Sequence, residues 1–367
     1  MIGKIISASL VVAFAITVAT QAFAVTNSCE SLFQAKTDET SDNYVFHPRM
    51  SIDPKTGQHR EERFAKTRDN RELFIDYLRA APGKRTLVIV NGLTYRTGIW
   101  DVFVEQLKDD EGLGILRYDP MGMGKTMERY GPLQKPTTIT EQVKDLYALL
   151  EGLGLDKDID ILGLSYGGGI SIEFAARYPD RIRTLIPVSA LMAPDEAQVR
   201  QIQFQIAMTR LMFPTNKATD AQLFAFFFKQ LVYSTYPLTE PIILEHPWKL
   251  ESVYNMALPT ASFHAENFIG GLPRGVLYQI DARKDQYIPA SVPQHFWDQT
   301  PQAVRASRII VDRAEHKIPE QMPQILALIV KKIIYRRDPR LLEGRTWAAS
   351  NFSDTLRDGK DRIDLKK

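Results

Sequence analysis

Cysteine is almost missing from these 367 residues, with Cys29 standing alone. An internal disulfide is therefore excluded, and the fold must rest on its core whatever the redox state of its surroundings. An excess of charge of one sign is lacking too. Lys and Arg number 46 against 44 Asp and Glu, a formal net charge of +2, with no long single-sign run to draw nucleic acid or an anionic membrane surface. Beyond the first 24 residues no apolar run is long enough to span a bilayer, so no stable membrane span is expected in the processed chain. What remains is an ordinary globular composition, 44% hydrophobic and 25% charged, enough for one large domain with an insertion or for two domains. A small-molecule substrate is the expected partner, and not nucleic acid.

The one early apolar stretch has its own meaning. Lys4 is followed by apolar residues from Ile5 to Thr20 and then by Ala22-Phe23-Ala24 before Val25: a charged start, an apolar middle and a small-residue cleavage site. Residues 1–24 are thus expected to be a signal peptide, with export to the periplasm or the exterior. The alternative is an uncleaved anchor, since the stretch is only slightly short of a span. Thr26-Asn27-Ser28 is a poor lipid-attachment signal ahead of Cys29, which reads as a spare residue in a loose segment.

Residues 25–61 are polar and weakly patterned and read as an extended lead-in, with turn formers from Ser51 to Gly57. Strand candidates follow at Glu62–Thr67 and Glu72–Arg79, joined by a turn at Arg68-Asp69-Asn70. The pattern then changes to short continuous apolar runs at Thr86–Val90, Gly114–Tyr118, Ile159–Leu164, Thr184–Val188, Val276–Ile280 and Arg308–Val311. Such runs, alternating with amphipathic helices, announce a parallel sheet covered on both faces. Between them, Thr138–Leu153 carries a capping box in Thr138 and Glu141 and apolar residues at helical spacing. The expected architecture is a doubly wound α/β core over residues 62–190 and 275–335. Residues 191–274 are too long for a crossover and rich in Met, Phe and Tyr, and they read as a mostly helical cap over the carboxyl ends of the strands. Met208, Met212 and Phe227 are candidates for an apolar pocket wall there, against the plainer reading that such groups pack cap on core. Residues 336–367 are charged, poor in large apolar groups after Trp347, and expected to form a solvated tail.

The sharpest local signal is Gly163-Leu164-Ser165-Tyr166-Gly167-Gly168-Gly169, placed where an apolar strand ends and a helix begins. Glycines here let strand and helix approach, the serine is lifted clear of the backbone, and the Tyr166 amide can donate to an oxyanion at the helix start. A decoy lies at Gly122-Met123-Gly124-Lys125-Thr126, which looks like the end of a phosphate-binding loop. Asp119 stands where that motif needs its first glycine, and Gly131-Pro132 argues against a helix starting at Thr126, so nucleotide binding is set aside.

Taken with Val88-Ile89-Val90-Asn91-Gly92-Leu93, Tyr118-Asp119-Pro120-Met121-Gly122-Met123-Gly124, Asp281 to Pro289 and Ala314 to Pro319, the elbow makes the chain resemble the α/β-hydrolase superfamily from about Arg63 to Tyr335. The order Ser, Asp, His along the chain agrees with that family. The resemblance implies a cap, and it implies a base at His316, on a short loop after the last apolar strand. It places the acid at Asp285 in the family's G-x-x-D position, with Asp281 at the strand end and Asp195 as rivals. The second oxyanion donor is implied at the amide of Leu93, although Asn91 stands where the family has histidine. A serine at the elbow argues against dehalogenases and epoxide hydrolases of this fold, which use aspartate. The expected activity is hydrolysis of carboxylic esters, lactones included, through an acyl-serine intermediate, with no metal or organic cofactor. Acyl transfer, amide hydrolysis and carbon–carbon bond hydrolysis use the same residues, and a binding module with an idle triad is a further alternative.

Overall fold

The computed structural model describes residues 46–67, 70–93, 95–108, 112–194, 196–220, 223–224, 227, 250–335, 346–349 and 365–366. Residues 1–24, expected to be a signal peptide, lie outside these, as do most of the expected lead-in, Asp195 and most of the C-terminal stretch. The described residues fall into two compact units, one built on 46–196 with the chain from 238 onward, the other including 197–237.

The first unit holds an eleven-stranded sheet. Its opening strands are β1 (Arg49–Ile52), β2 (His59–Lys66) and β3 (Glu72–Leu78), paired antiparallel in succession. Strand β1 falls in the expected lead-in: Asp53 caps the turn after it by accepting from the amides of Lys55 and Thr56 at 3.1 and 3.0 Å. At the turn into β3, Asn70 takes the left-handed φ of 56°. Then come β4 (Thr86–Val90), helix α1 (Asp101–Leu107), β5 (Gly114–Asp119), α2 (Gly124–Tyr130), α3 (Ile139–Gly152), β6 (Ile159–Leu164), α4 (Tyr166–Arg177) and β7 (Ile182–Val188). The capping box at the start of α3 is present in both directions between Thr138 and Glu141.

After the second unit's segment, the first resumes with α6 (Leu250–Ala257), β8 (Leu277–Ala282), α7 (Ser291–Gln299), β9 (Arg305–Val311), α8 (Ile318–Gln321) and α9 (Pro323–Tyr335). Strands run in the spatial order β1-β2-β3-β5-β4-β6-β7-β8-β9-β10-β11, with every neighbour from β5 to β10 parallel. The tail expectation needs correction. Thr346–Ala349 forms β10, parallel to β9 with Trp347 opposite Ile309, and Leu365–Lys366 forms β11 beside it. A strand edge offers unpaired backbone groups, and four residues suffice to use them although the surrounding stretch is charged.

The continuous apolar runs are explained by burial on both faces. Val88, Val90, Ile161, Leu146, Ile170 and Phe174 share one apolar layer under α3 and α4. Leu87, Ile89, Leu162, Leu164, Phe103 and Ile329 share the other, under α1 and α9. Successive residues of β4 thus alternate between two cores, so no position in it tolerates water. The chain runs from β4 to β5 on one side and then places β6 on the other side of β4. That reversal lies between β4 and β6, and beyond the carboxyl ends of strands at such a switch point an open α/β sheet binds its ligands.

The other unit is represented by α5 (Glu196–Met212) and the short stretches after it. Ile202, Leu223 and Phe227 form a small apolar cluster of their own, with Ile206, Ala218 and Phe224 against it. Among the described residues no helix is long and apolar enough to cross a membrane.

Candidate active site

Strand β6 and helix α4 are joined by a single residue. Ser165 sits at φ 52° and ψ −117°, a region that side-chain-bearing residues rarely occupy, at a cost on the order of 1–3 kcal/mol. The strain is held by backbone hydrogen bonds on both sides. Its amide donates to the Val188 carbonyl at 3.0 Å, and its carbonyl accepts from Gly168 and Leu191, each at 2.8 Å. Close approach makes the glycines obligatory: a Cβ on Gly163 would stand 2.2 Å from the Gly167 carbonyl oxygen, and one on Gly167 would stand 2.3 Å from that of Val90. The amide of Tyr166 opens the helix, where the first-turn donors have no intrahelical partner.

The loop after β4 passes directly beside this serine, since a Cβ on Gly92 would lie 3.5 Å from that of Ser165. Asn91 is the loop's anchor. Its amide nitrogen donates to the Tyr118 carbonyl at 2.8 Å and to Asp119 at 3.2 Å, while its oxygen accepts from the Trp100 indole at 2.7 Å. Asp119, fully buried, also accepts from the amides of Thr97 and Lys125 at 2.7 and 2.9 Å. One carboxylate therefore gathers the β4 and β5 loops and sets the backbone that carries Leu93. Burial pushes its carboxyl up to about 7, against the pull of the Lys125 and Thr97 amides. Asp119 also occupies the glycine turn that resembles a phosphate loop. The expectation that no helix starts there is corrected: α2 begins at Gly124, whose φ of 48° lets the turn wrap the Asp119 carboxylate with no room for a Cβ.

His316 and Asp285 come together. The imidazole Nδ1 lies 2.8 Å from Asp285 Oδ2, and both side chains are nearly buried. The other oxygen of Asp285 accepts from the amides of Tyr287 and Ile288 at 2.9 and 2.8 Å. The Tyr287 ring meets the imidazole edge-on, with centroids 4.9 Å apart. The two loops are stitched by their backbones, since Arg283 N donates to the Val311 carbonyl at 3.1 Å and Lys284 N to that of Ala314 at 2.9 Å. Leu164 pairs in register with Val188, Val188 with Ile280 and Ile280 with Ile309. Ser165, Asp285 and His316 therefore all follow the same end of the sheet.

Asp281, the rival acid, lies inside β8 and points at β9. It accepts from Arg308 Nε at 2.7 Å and from Gln279 Nε2 at 2.8 Å, all buried. The loop amides of Tyr287 and Ile288 go to Asp285 instead. Strand geometry is the reason: Asp281 lies within β8 on the same sheet face as Gln279, whose register partner on β9 is Arg308, whereas Asp285 lies on the turn beyond the strand. Asp195 lies outside the described residues. His295 is on α7 as its sequence suggests, and with His264 it flanks Glu266 at 3.3 and 3.7 Å. Of the pocket candidates, Met208 is half-buried, Met212 is exposed, and Phe227 packs in the small cluster with Ile202 and Leu223. Among the described residues no three His, Cys, Asp or Glu side chains are grouped to hold a metal ion. One partnership escaped sequence reasoning: Tyr95, on the β4 loop, donates to Glu320 on α8 across 225 residues of chain. No local pattern signals such a contact.

Comparison with known proteins identifies the family and the fold. The family model described as alpha/beta hydrolase fold matches residues 85–316, well over half of the chain. A lipase of Mycobacterium tuberculosis is 28% identical over 120 residues, 33% of this chain and 42% of that protein. A homoserine O-acetyltransferase of Geobacter metallireducens is 36% identical over 70 residues, 19% of each chain. The chain thus spans less than half the length of these curated relatives. Among solved structures, a thermophilic esterase from Thermogutta terrifontis matches with a TM-score of 0.56 at 18% identity, over 75% of this chain and 98% of the esterase. An enol-lactonase from Burkholderia xenovorans matches with a TM-score of 0.56 at 16% identity, over 74% of this chain and all of the other. At these identities the likeness is one of fold.

Two predictions concern the buried carboxylates. Asp281→Asn leaves the Arg308 guanidinium buried beside a neutral amide, so denaturant unfolding should show a loss of about 3 kcal/mol. Asp119 has a folded value near 7, above its ordinary 3.8, so the folded state keeps a proton that the unfolded chain has released. That contribution is present at low pH and is lost as pH rises through about 7. Unfolding midpoints compared between wild type and Asp119→Asn should therefore move against the wild type from about pH 5 to about pH 8.

Proposed function

The chain belongs to the α/β-hydrolase fold family, and on that premise we propose that it is a serine hydrolase of carboxylic esters, with Ser165 as nucleophile, His316 as general base and Asp285 as the acid that orients it. One observation carries the reading: the Asp285–His316 hydrogen bond stands at the same sheet end as a serine held at positive φ between strand and helix. With Nδ1 turned to the carboxylate, the ring offers Nε2 as the proton acceptor. His316 takes the Ser165 proton as Oγ attacks the ester carbonyl, and Asp285 stabilises the imidazolium that forms. The amides of Leu93 and Tyr166 donate to the oxyanion of the tetrahedral intermediate. Collapse expels the alcohol, which takes the proton from His316 and leaves an acyl-serine. Water, deprotonated by the same histidine, then attacks the acyl carbonyl and frees Ser165.

Esterase, lipase and lactonase names among the similar proteins support an ester or lactone substrate. Acyl transfer is the second reading, favoured by the homoserine O-acetyltransferase match, and it differs only in whether water or a second alcohol meets the acyl-serine. The pattern of residues 1–24 supports export to the periplasm or the exterior.

Ser165→Ala should leave thermal melting unchanged, abolish labelling by a fluorophosphonate probe, and lower kcat on a short-chain aryl ester by on the order of a million-fold. Asp285→Asn should lower it by about ten-thousand-fold through the wrong histidine tautomer. Turnover by the alanine variant within a few-fold of wild type rejects the assignment. Adding alcohol acceptors to the wild-type reaction and measuring the ratio of ester to free acid separates transfer from hydrolysis.

A further inference from the structure

The loop that carries Leu93 follows β4, and the helix that follows His316 is attached to β9. These strands are four positions apart in the sheet, about 19 Å at the usual spacing of about 4.8 Å. Tyr95 joins what the sheet separates, by donating its hydroxyl to Oε1 of Glu320 on α8. On the loop side, the Tyr95 amide donates to the Gly92 carbonyl at 3.1 Å. Its ring leans on Trp100, centroids 6.2 Å apart, the same Trp100 that donates to Asn91. On the other side, Glu320 N donates to the carbonyl of Lys317, the residue after His316, at 3.0 Å, and Lys317 Nζ stands 4.0 Å from Glu320 Oε1.

Packing alone does not call for these polar groups. Tyr95, Trp100 and Ile318 belong to one apolar cluster, and Glu320 Oε2 is buried with no hydrogen-bond partner among the described residues. Burying a carboxylate costs free energy that pairing and hydrogen bonds only partly offset, and a well-packed apolar pair there would be as stable or more so.

We propose that the Tyr95–Glu320 hydrogen bond is a positioning clip that holds the Leu93 amide in register with His316, so that oxyanion donor and base meet one carbonyl together. The inference rests on the serine-hydrolase reading above. Each residue acts through the loop it holds.

The test uses the full-length protein with a short-chain aryl ester and a fluorophosphonate probe. Tyr95→Phe should lower kcat by about tenfold or more with KM within about two-fold, since a small displacement of positioned groups costs rate more than binding. Labelling of Ser165 should slow in parallel. Glu320→Gln keeps an acceptor in place and should stay within about three-fold of wild type in kcat, whereas Glu320→Leu should fall as Tyr95→Phe does. If Tyr95→Phe does not fold, the Gln and Leu variants at 320 make the same comparison. Serine-dependent turnover that Tyr95→Phe leaves unchanged, even with a lower Tm, overturns the clip alone. Equal kcat for Glu320→Gln and Glu320→Leu does the same. Turnover that survives Ser165→Ala overturns the serine reading and the clip with it.

Discussion

Strand β6 reaches helix α4 through one residue, and the geometry of that junction constrains everything around it. Ser165 stays at positive φ because its amide is held by Val188 and its carbonyl by Gly168 and Leu191, so the strain is stored between three elements. The approach that results puts the Val90 and Asn91 carbonyls where a Gly167 side chain would be. The β4 loop is thereby pressed against the serine at Gly92. Placement of Ser165 and of the loop follows from one backbone constraint.

Around that junction, three buried aspartates are given different tasks by their surroundings. Asp119 takes backbone amides and the Asn91 side chain and organises two loops. Asp281 is neutralised by Arg308 inside the sheet. Asp285 divides its two oxygens between loop amides and the imidazole of His316. The residue type is the same throughout, and the difference is where each side chain leaves the backbone. Asp281, inside β8, meets a side chain of the adjacent strand, whereas Asp119, the last residue of β5, and Asp285, beyond β8, can accept from loops.

The polar groups on the other flank follow the same logic. Tyr95 and Glu320 lie in an apolar layer otherwise built from residues such as Phe103 and Ile329. A hydroxyl and a carboxylate in such a layer fix one relative position of two loops, because a slip leaves the buried Tyr95 hydroxyl without its acceptor. Apolar contacts are non-directional and would allow several.

By itself the sequence determined the order and type of the central elements, because strands buried on both faces must read as continuous apolar runs and helices over them must repeat every three to four residues. It also singled out Ser165, since the elbow is a local steric pattern written in adjacent glycines, and the α3 capping box, which spans four residues. Contacts between distant segments were decided only by the tertiary structure. Strand β10 pairs although its surrounding sequence is charged, α2 starts where Gly131-Pro132 argued against it, and Asp285 faces His316 while Asp281 faces Arg308. Asn91 was legible as the residue standing in place of the family's histidine, but its partners Trp100, Tyr118 and Asp119 were not. The Tyr95–Glu320 bond left no trace in the sequence at all. Local patterns are legible because sterics and periodicity act between near neighbours; a side chain's partner across the sheet depends on strand order, register and the turn from which it projects.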